Sequence, residues 1–307
     1  MSTPGLQARA GSARRHPAAA PPDAVAPRPD GGLFGVVLHR PPAARGLQQF
    51  HVSLLSGIEE TLDRQGAEVL VQMADSDSEE LAAYPRWVEA ALVDGVVLLD
   101  LTEDDPRPAL LHRLGLPGVV LGEAPSGTRL PVVEVDNGDA MRLALGQLLA
   151  LGHRRIGRVS GPRALLHTRA RGAAFEAVLG AAGLTGRTVE GDYFAASGAS
   201  ATRELLEVAD RPTAIVYDND LMAVAGLAVA AELGVRVPEQ LSLLAWDDSA
   251  ECRLARPPLS VVNRDIHALG VALAEVLLDL HAGRAAGTVQ SASARVVIRG
   301  TVAAPPS

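Results

Sequence analysis

Short runs of uninterrupted apolar residues alternate with amphipathic stretches along most of the chain, and this alternation occurs twice. From Gly32, "GLFGVVLH" reads as a strand. "LQQFHVSLLSGIEETLDRQG" then places Phe50, Leu54, Leu55, Ile58 and Leu62 at helical spacing and stops at Gly66. "AEVLVQM" is a strand, Glu79–Ala91 a helix, "DGVVLLD" a strand, Pro108–Leu114 a short helix and "PGVVLGE" another strand. Strands apolar at every position are buried on both faces, which predicts a parallel sheet covered by helices on either side. The pattern restarts at "RIGRVSG", followed by helix His167–Ala182, helix Thr202–Ala209, strand "TAIVYD", helix Leu221–Gly234 and strand "QLSLLAWDD". Two wound sheets in 307 residues predict two lobes of similar architecture. Strand "LSVVN", helix Asp265–Ala282 and strand "RVVIRGTV" are too small for a third domain and are expected to complete the two sheets. The predicted division is 32–155 with 262–286 in one lobe, and 156–261 with 287–303 in the other. Residues 1–31, with Pro17, Pro21, Pro22, Pro27 and Pro29, read as a flexible tail.

Composition removes several function classes. All 28 basic residues are arginine, so a P-loop lysine and a Schiff-base lysine are excluded. The single cysteine, Cys252, excludes an internal disulfide and a multi-cysteine metal site. Aromatics make up 3%, too few for a base-stacking platform. Net charge is −8, while residues 1–31 carry four arginines against two aspartates, so the acidity lies in the body, unlike a nucleic-acid-binding surface. No apolar run is long enough to span a bilayer, and the N-terminus has no secretory apolar core; the expected location is the cytoplasm.

In open parallel sheets, ligands bind beyond the carboxyl ends of the strands. At those ends the sequence places His39 and Arg40, with Phe50 and His51 opening the following helix; then Asp100; Asp136 and Asn137; Ser160, followed by His167, Arg169 and Arg171; Asp218, Asn219 and Asp220; and Asp247 and Asp248. Each has an ordinary structural reading beside a functional one. One residue of Asp218–Asp220 can cap the helix at Leu221, since Asn and Asp lead the N-cap ranking. Asp248 and Ser249 can form a turn, and the histidines can be surface residues. Two arginines at a helix start oppose the helix dipole, which calls for a compensating anion or strong hydrogen bonds. Capping alone needs one residue per helix, so the surplus predicts a polar crevice between the lobes.

The runs "VDNGDAMRLALGQLLALGHRRIGRVSGP", "HTRARGAAFEAVLGAAGL", "EGDYFAASG", "PTAIVYDNDLMAVAGLAVAAELGVRVPEQLSLLAWDDSAE" and "RPPLSVVNRDIHALGVALAEVLLDLHAG" resemble the lactose/galactose-repressor (LacI/GalR) family of bacterial transcription regulators. The resemblance covers roughly Leu33 to Val302. It implies an α/β fold of the type I periplasmic-binding-protein-like kind: two Rossmann-like lobes with parallel sheets, three crossovers and a small-molecule site between them. By resemblance, the ligand contacts are Phe50 and His51, His167, Arg171, Tyr193, Asn219 and Asp247, with Asp136 and Asn137 matching the family's "DN". Asp220 is then expected to cap the helix at Leu221, and Asp218 has no assigned role. Carboxylates, an amide, an arginine and ring faces suit a sugar or sugar derivative, and a nucleobase is the other ligand class. The resemblance further implies a homodimer; no cofactor, no metal and no membrane partner are expected.

These regulators carry a helix-turn-helix ahead of the sensor. Residues 1–31 are too short and proline-rich to form one, so operator DNA is expected as a partner only if such a module lies upstream of Met1. The leading expectation is a regulator's sensor whose lobe closure on an effector controls DNA binding. A solute-binding protein of the same fold would need export. A carboxylate- or metal-dependent enzyme would lack the lysine, the G-x-S-x-G elbow and the H-E-x-x-H pair that such chemistry uses.

Overall fold

A computed structural model describes residues 31–39 and 47–306. The predicted tail therefore falls, except for Gly31, outside the described residues, as does Arg40. In chain order the elements are β1 (Leu33–His39), α1 (Gln49–Asp63), β2 (Glu68–Ala74), α2 (Asp77–Glu89), β3 (Gly95–Leu98), α3 (Arg107–Leu114), β4 (Gly118–Leu121) and β5 (Val132–Glu134). There follow α4 (Asn137–Ala150), β6 (Ile156–Ser160), α5 (Leu166–Ala181), β7 (Arg187–Glu190), α6 (Ala195–Leu206), β8 (Ala214–Tyr217) and α7 (Asp220–Glu232). The chain closes with β9 (Ser242–Trp246), α8 (Ala250–Leu254), β10 (Ser260–Asn263), α9 (Ile266–His281), β11 (Val289–Gln290) and β12 (Arg295–Val297).

The strands form two six-stranded sheets, ordered β11-β5-β4-β3-β1-β2 and β12-β10-β9-β8-β6-β7. All pairings are parallel except that of β12 with β10. The central strands of each sheet are buried on both faces, as their apolar runs require. In the first lobe, Phe34, Leu54, Ile58, Leu273 and Leu277 fill one face, and Tyr84, Trp87, Leu98 and Leu111 the other. In the second lobe, Tyr217, Met222 and Leu243 pack on one side, and Met141, Phe175 and Trp246 on the other. Each such leucine or isoleucine contributes about 1.5–3 kcal/mol on burial.

Packing sets where the chain crosses between lobes. α4 was expected with the first lobe, but its Ala140, Met141, Ala144 and Leu145 pack in the second-lobe core, so the first crossover lies at the β5–α4 junction. β10 completes the second sheet, and α9 returns to pack on α1. Val289–Gln290 extends the first sheet beside β5 before β12 joins the second, so the last crossover follows Gln290 and not residue 286. α6 begins at Ala195, seven residues before the expected Thr202. The small residues "AASGAS" read as a loop by propensity, yet a Cβ at Gly198 would lie 2.4 Å from Met222 Cα, so close packing of α6 on α7 requires them.

Candidate functional site

The carboxyl ends of both sheets open onto one cavity of about 660 Å³ between the lobes, within the usual size of ligand pockets. The first lobe supplies Phe50 and His51 from the first turn of α1, Asp100 after β3, and Leu121 and Gly122 at the end of β4. The second supplies His167 and Arg171 from α5, Tyr193 from the β7–α6 loop, Asp218–Asp220 after β8 and Asp247–Ser249 after β9. Asn137, Arg264 and Asp265 come from the crossovers. Asp100 (φ 54°), Tyr193 (φ 70°) and Asp247 (φ 68°) hold left-handed backbone conformations, and only Ala91 joins them among the described non-glycine residues. Such conformations are costly unless the surroundings enforce them, and they gather at functional sites.

Arg171 is a buried cation of the cavity wall, 3% exposed. Its Nε donates to Asn137 Oδ1 (2.8 Å) and its Nη1 to the Asp218 carbonyl (2.8 Å), while the guanidinium lies 4.1 Å from the Trp246 ring centroid. Burial lowers its pKa, because no carboxylate bonds it directly. Asn137 in turn donates to both carboxylate oxygens of Glu123 (3.0 Å each), and burial raises the pKa of that carboxylate. Asn137 thus positions Arg171 as well as lining the cavity. Asp136 does not reach the cavity: it caps α4, accepting from Asp139 N at 2.6 Å, and its side lines a groove behind the crossovers. The expectation for Asp136 is therefore corrected, since its carboxylate is spent on a helix end.

His167 and Tyr193 form one unit. His167 Nε2 lies 2.7 Å from the Tyr193 hydroxyl, Thr168 Oγ1 lies 2.8 Å from the same hydroxyl, and the two rings stack 6.0 Å apart at 25°. Burial, with the nearby Arg171 charge, pushes the His167 pKa down to about 4, so the ring is neutral near pH 7. His51 is likewise lowered by burial and meets Phe50 edge to face at 5.4 Å. A Cβ at Gly161 would lie 2.0 Å from Tyr193 Cζ, so only glycine leaves room for that ring.

The "DND" run divides differently from expectation. Asp218 is a buried partner of Arg158, accepting from Nε (2.9 Å) and Nη2 (2.6 Å), and it also accepts from Gly161 N (3.2 Å). Asn219 is the α7 cap: its Oδ1 accepts from Met222 N (3.0 Å), and its Nδ2 donates to the Tyr193 carbonyl (2.8 Å). The expected roles of Asn219 and Asp220 are thus reversed for capping. Asp220 lines the cavity, bonds Leu221 N (2.8 Å) and the Ser249 hydroxyl, and has its pKa raised chiefly by burial.

Asp247 is held by Arg264, which donates from Nε (2.9 Å) and Nη2 (2.8 Å) while its guanidinium carbon lies 5.9 Å from the Phe50 ring centroid. Sequence reasoning passes over Arg264, although the strand-end rule applied to "LSVVN" reaches it. Across the cleft, Leu166 N donates to the Leu101 carbonyl (2.9 Å), Thr102 and Leu165 form a backbone bridge, and Arg169 pairs with Glu103 (3.3 Å). Among the described residues, no group of three or more His, Cys, Asp or Glu is placed to hold a metal ion, and no helix is long and apolar enough to cross a membrane.

Two wound lobes joined by three crossovers, with one polar cavity between their carboxyl edges, define the periplasmic-binding-protein-like class, and residues 145–302 match the periplasmic binding protein-like domain family. The chain is 33% identical over 240 residues to the HTH-type transcriptional regulator CelR of Thermobifida fusca, covering 76% of this chain and 69% of that one. A LacI family transcriptional regulator from Bifidobacterium animalis subsp. lactis superposes with a TM-score of 0.82 at 34% identity, covering 90% of this chain and 98% of that one. A solved complex of the regulator CelR with cellobiose superposes with a TM-score of 0.81 at 28% identity, covering 89% and 85%. The chain belongs to the LacI family of transcriptional regulators.

Proposed function

We propose that the interlobe cavity binds a small sugar-like effector, and that lobe closure on it controls the affinity of this LacI-type regulator for operator DNA. The observation that carries this reading is the convergence of the Arg171 guanidinium, the Asp220 and Asp247 carboxylates and the faces of Phe50, His167 and Tyr193 on one cavity. Hydroxyls both donate and accept, and ring faces pack against a sugar's C–H surface, so this wall matches a polyol. The relative solved with cellobiose supports the same ligand class. In this reading Phe50, His51, His167, Arg171, Tyr193 and Asp247 touch the ligand, and Asn137 and Asn219 hold the wall in place. The protein acts by binding and not by turnover, as a homodimer in the cytoplasm. Closure shifts a two-state equilibrium by the difference in ligand affinity between the open and closed forms.

Calorimetric titration with a panel of mono- and disaccharides tests the reading. A saturable hit is expected, and Arg171→Ala should weaken it at least tenfold, because hydrogen bonds to a charged group contribute about 1.5–3 kcal/mol. No hit across the panel, or unchanged binding by Arg171→Ala, refutes it. Light scattering at micromolar protein should return twice the chain mass.

A further inference from the structure

Among the described residues, two charges on the cavity wall, Arg171 and Asp220, are shielded from solvent and form no ion pair. Arg171 spends Nε and Nη1 on neutral acceptors, an amide oxygen and a backbone carbonyl. The nearby Asp218 carboxylate is already bonded twice by Arg158. Asp220 receives only a backbone N–H and the Ser249 hydroxyl, and among the described residues it forms no ion pair. Capping does not explain it, because Asn219 caps α7. The neighbouring buried charges are neutralised: Asp247 by Arg264, and Asp248 by Arg299 at 2.7 Å.

We infer that Arg171 and Asp220 select an uncharged, polyhydroxylated ligand, and that the site discriminates against the phosphorylated and uronic-acid forms of the same sugar. This rests on the reading of the cavity as a sugar-effector site. A hydroxyl accepts from the guanidinium with its lone pairs and donates its proton to the carboxylate, so a neutral polyol satisfies both groups at once. An anionic ligand would satisfy Arg171 but bring a second negative charge beside the unpaired Asp220 carboxylate in a partly desolvated space. A cationic ligand would satisfy Asp220 but meet the unpaired Arg171 guanidinium. Like charges in such a space repel more strongly than in water, and neither ion regains its lost hydration. The two unpaired charges are opposite in sign, and such a pair favours a neutral guest.

The test titrates the whole chain with glucose, galactose, cellobiose and maltose, each beside its 6-phosphate and its uronic acid. The expected result is binding of at least one neutral sugar, with its charged forms at least tenfold weaker. Asp220→Asn, close in shape, should weaken the neutral sugar at least fivefold and narrow the gap to its 6-phosphate; a melting curve confirms that the variant is folded. A phosphate or uronate that binds as tightly as its neutral parent overturns this inference while leaving the effector reading intact. Unchanged neutral-sugar affinity in folded Asp220→Asn overturns the role of Asp220. Should that variant fail to fold, the wild-type comparison of neutral and charged sugars still decides. Absence of binding by every sugar, charged or not, overturns the effector reading and this inference with it.

Discussion

Asp218 shows how one side chain can look catalytic and be structural. It lies 2% exposed and is bonded by Arg158 and Gly161, and Arg158 also donates to the Thr168 carbonyl at 2.9 Å. Removing one member of a buried ion pair strands the other, so Asp218→Ala should destabilise the protein by about 3–5 kcal/mol in urea unfolding. Ligand binding at the Arg171 end should suffer as well, since the nearby Asp218 carboxylate supports the charge of that guanidinium. His167 gives a pH signature. Its folded pKa, about 4, lies below its ordinary value of 6.5. Between those values the unfolded chain binds more protons, so the His167 contribution is complete above pH 6.5 and is lost as pH falls toward 4. Melting temperatures of wild type and His167→Gln across that window should show a shallower decline in the variant. Sequence reasoning placed His167 and Arg171 at the crevice by strand end and resemblance together, and Tyr193 by resemblance alone; all three line the cavity. It exchanged the capping roles of Asn219 and Asp220 because both residue types cap helices, and only the extended backbone at Asn219 shows which one faces Met222 N.

At the scale of elements, the pairing of α1 with α9 shows what apolar periodicity leaves unsaid. A Cβ at Gly57 would lie 2.1 Å from the His267 carbonyl oxygen, and one at Gly270 would lie 2.1 Å from the Leu54 carbonyl oxygen. The two helices therefore meet backbone to backbone, and neither can yield to a flexible side chain. Gly270→Leu should cost about 1–3 kcal/mol or more by overpacking, readable as a lower urea midpoint. Helices and strands were legible because their apolar periods are strong. The lobe to which α4 belongs was not, because Ala140, Met141 and Leu145 suit either core and the sequence records no partner. The two-residue β11 carries too short a pattern to be read as a strand at all.

At the scale of the molecule, three crossovers tie the lobes along one side. Away from them, the loop after β3 meets the start of α5 through Leu101, Thr102, Glu103, Leu165, Leu166 and Arg169. Leu166 also packs against the outer core of the first lobe. Arg169→Glu places two acids opposite each other at this contact. It should favour an opened form, measurable as a larger radius of gyration in ligand-free solution scattering, while Arg169→Glu combined with Glu103→Arg restores the compact value. The bridge turns the cleft into a ring, covalent on one side and hydrogen-bonded on the other. In the proposed closure, the strength of a contact the guest never touches would bias the closed form. Changes at Arg169 or Glu103 would then move the threshold and the persistence of the response together.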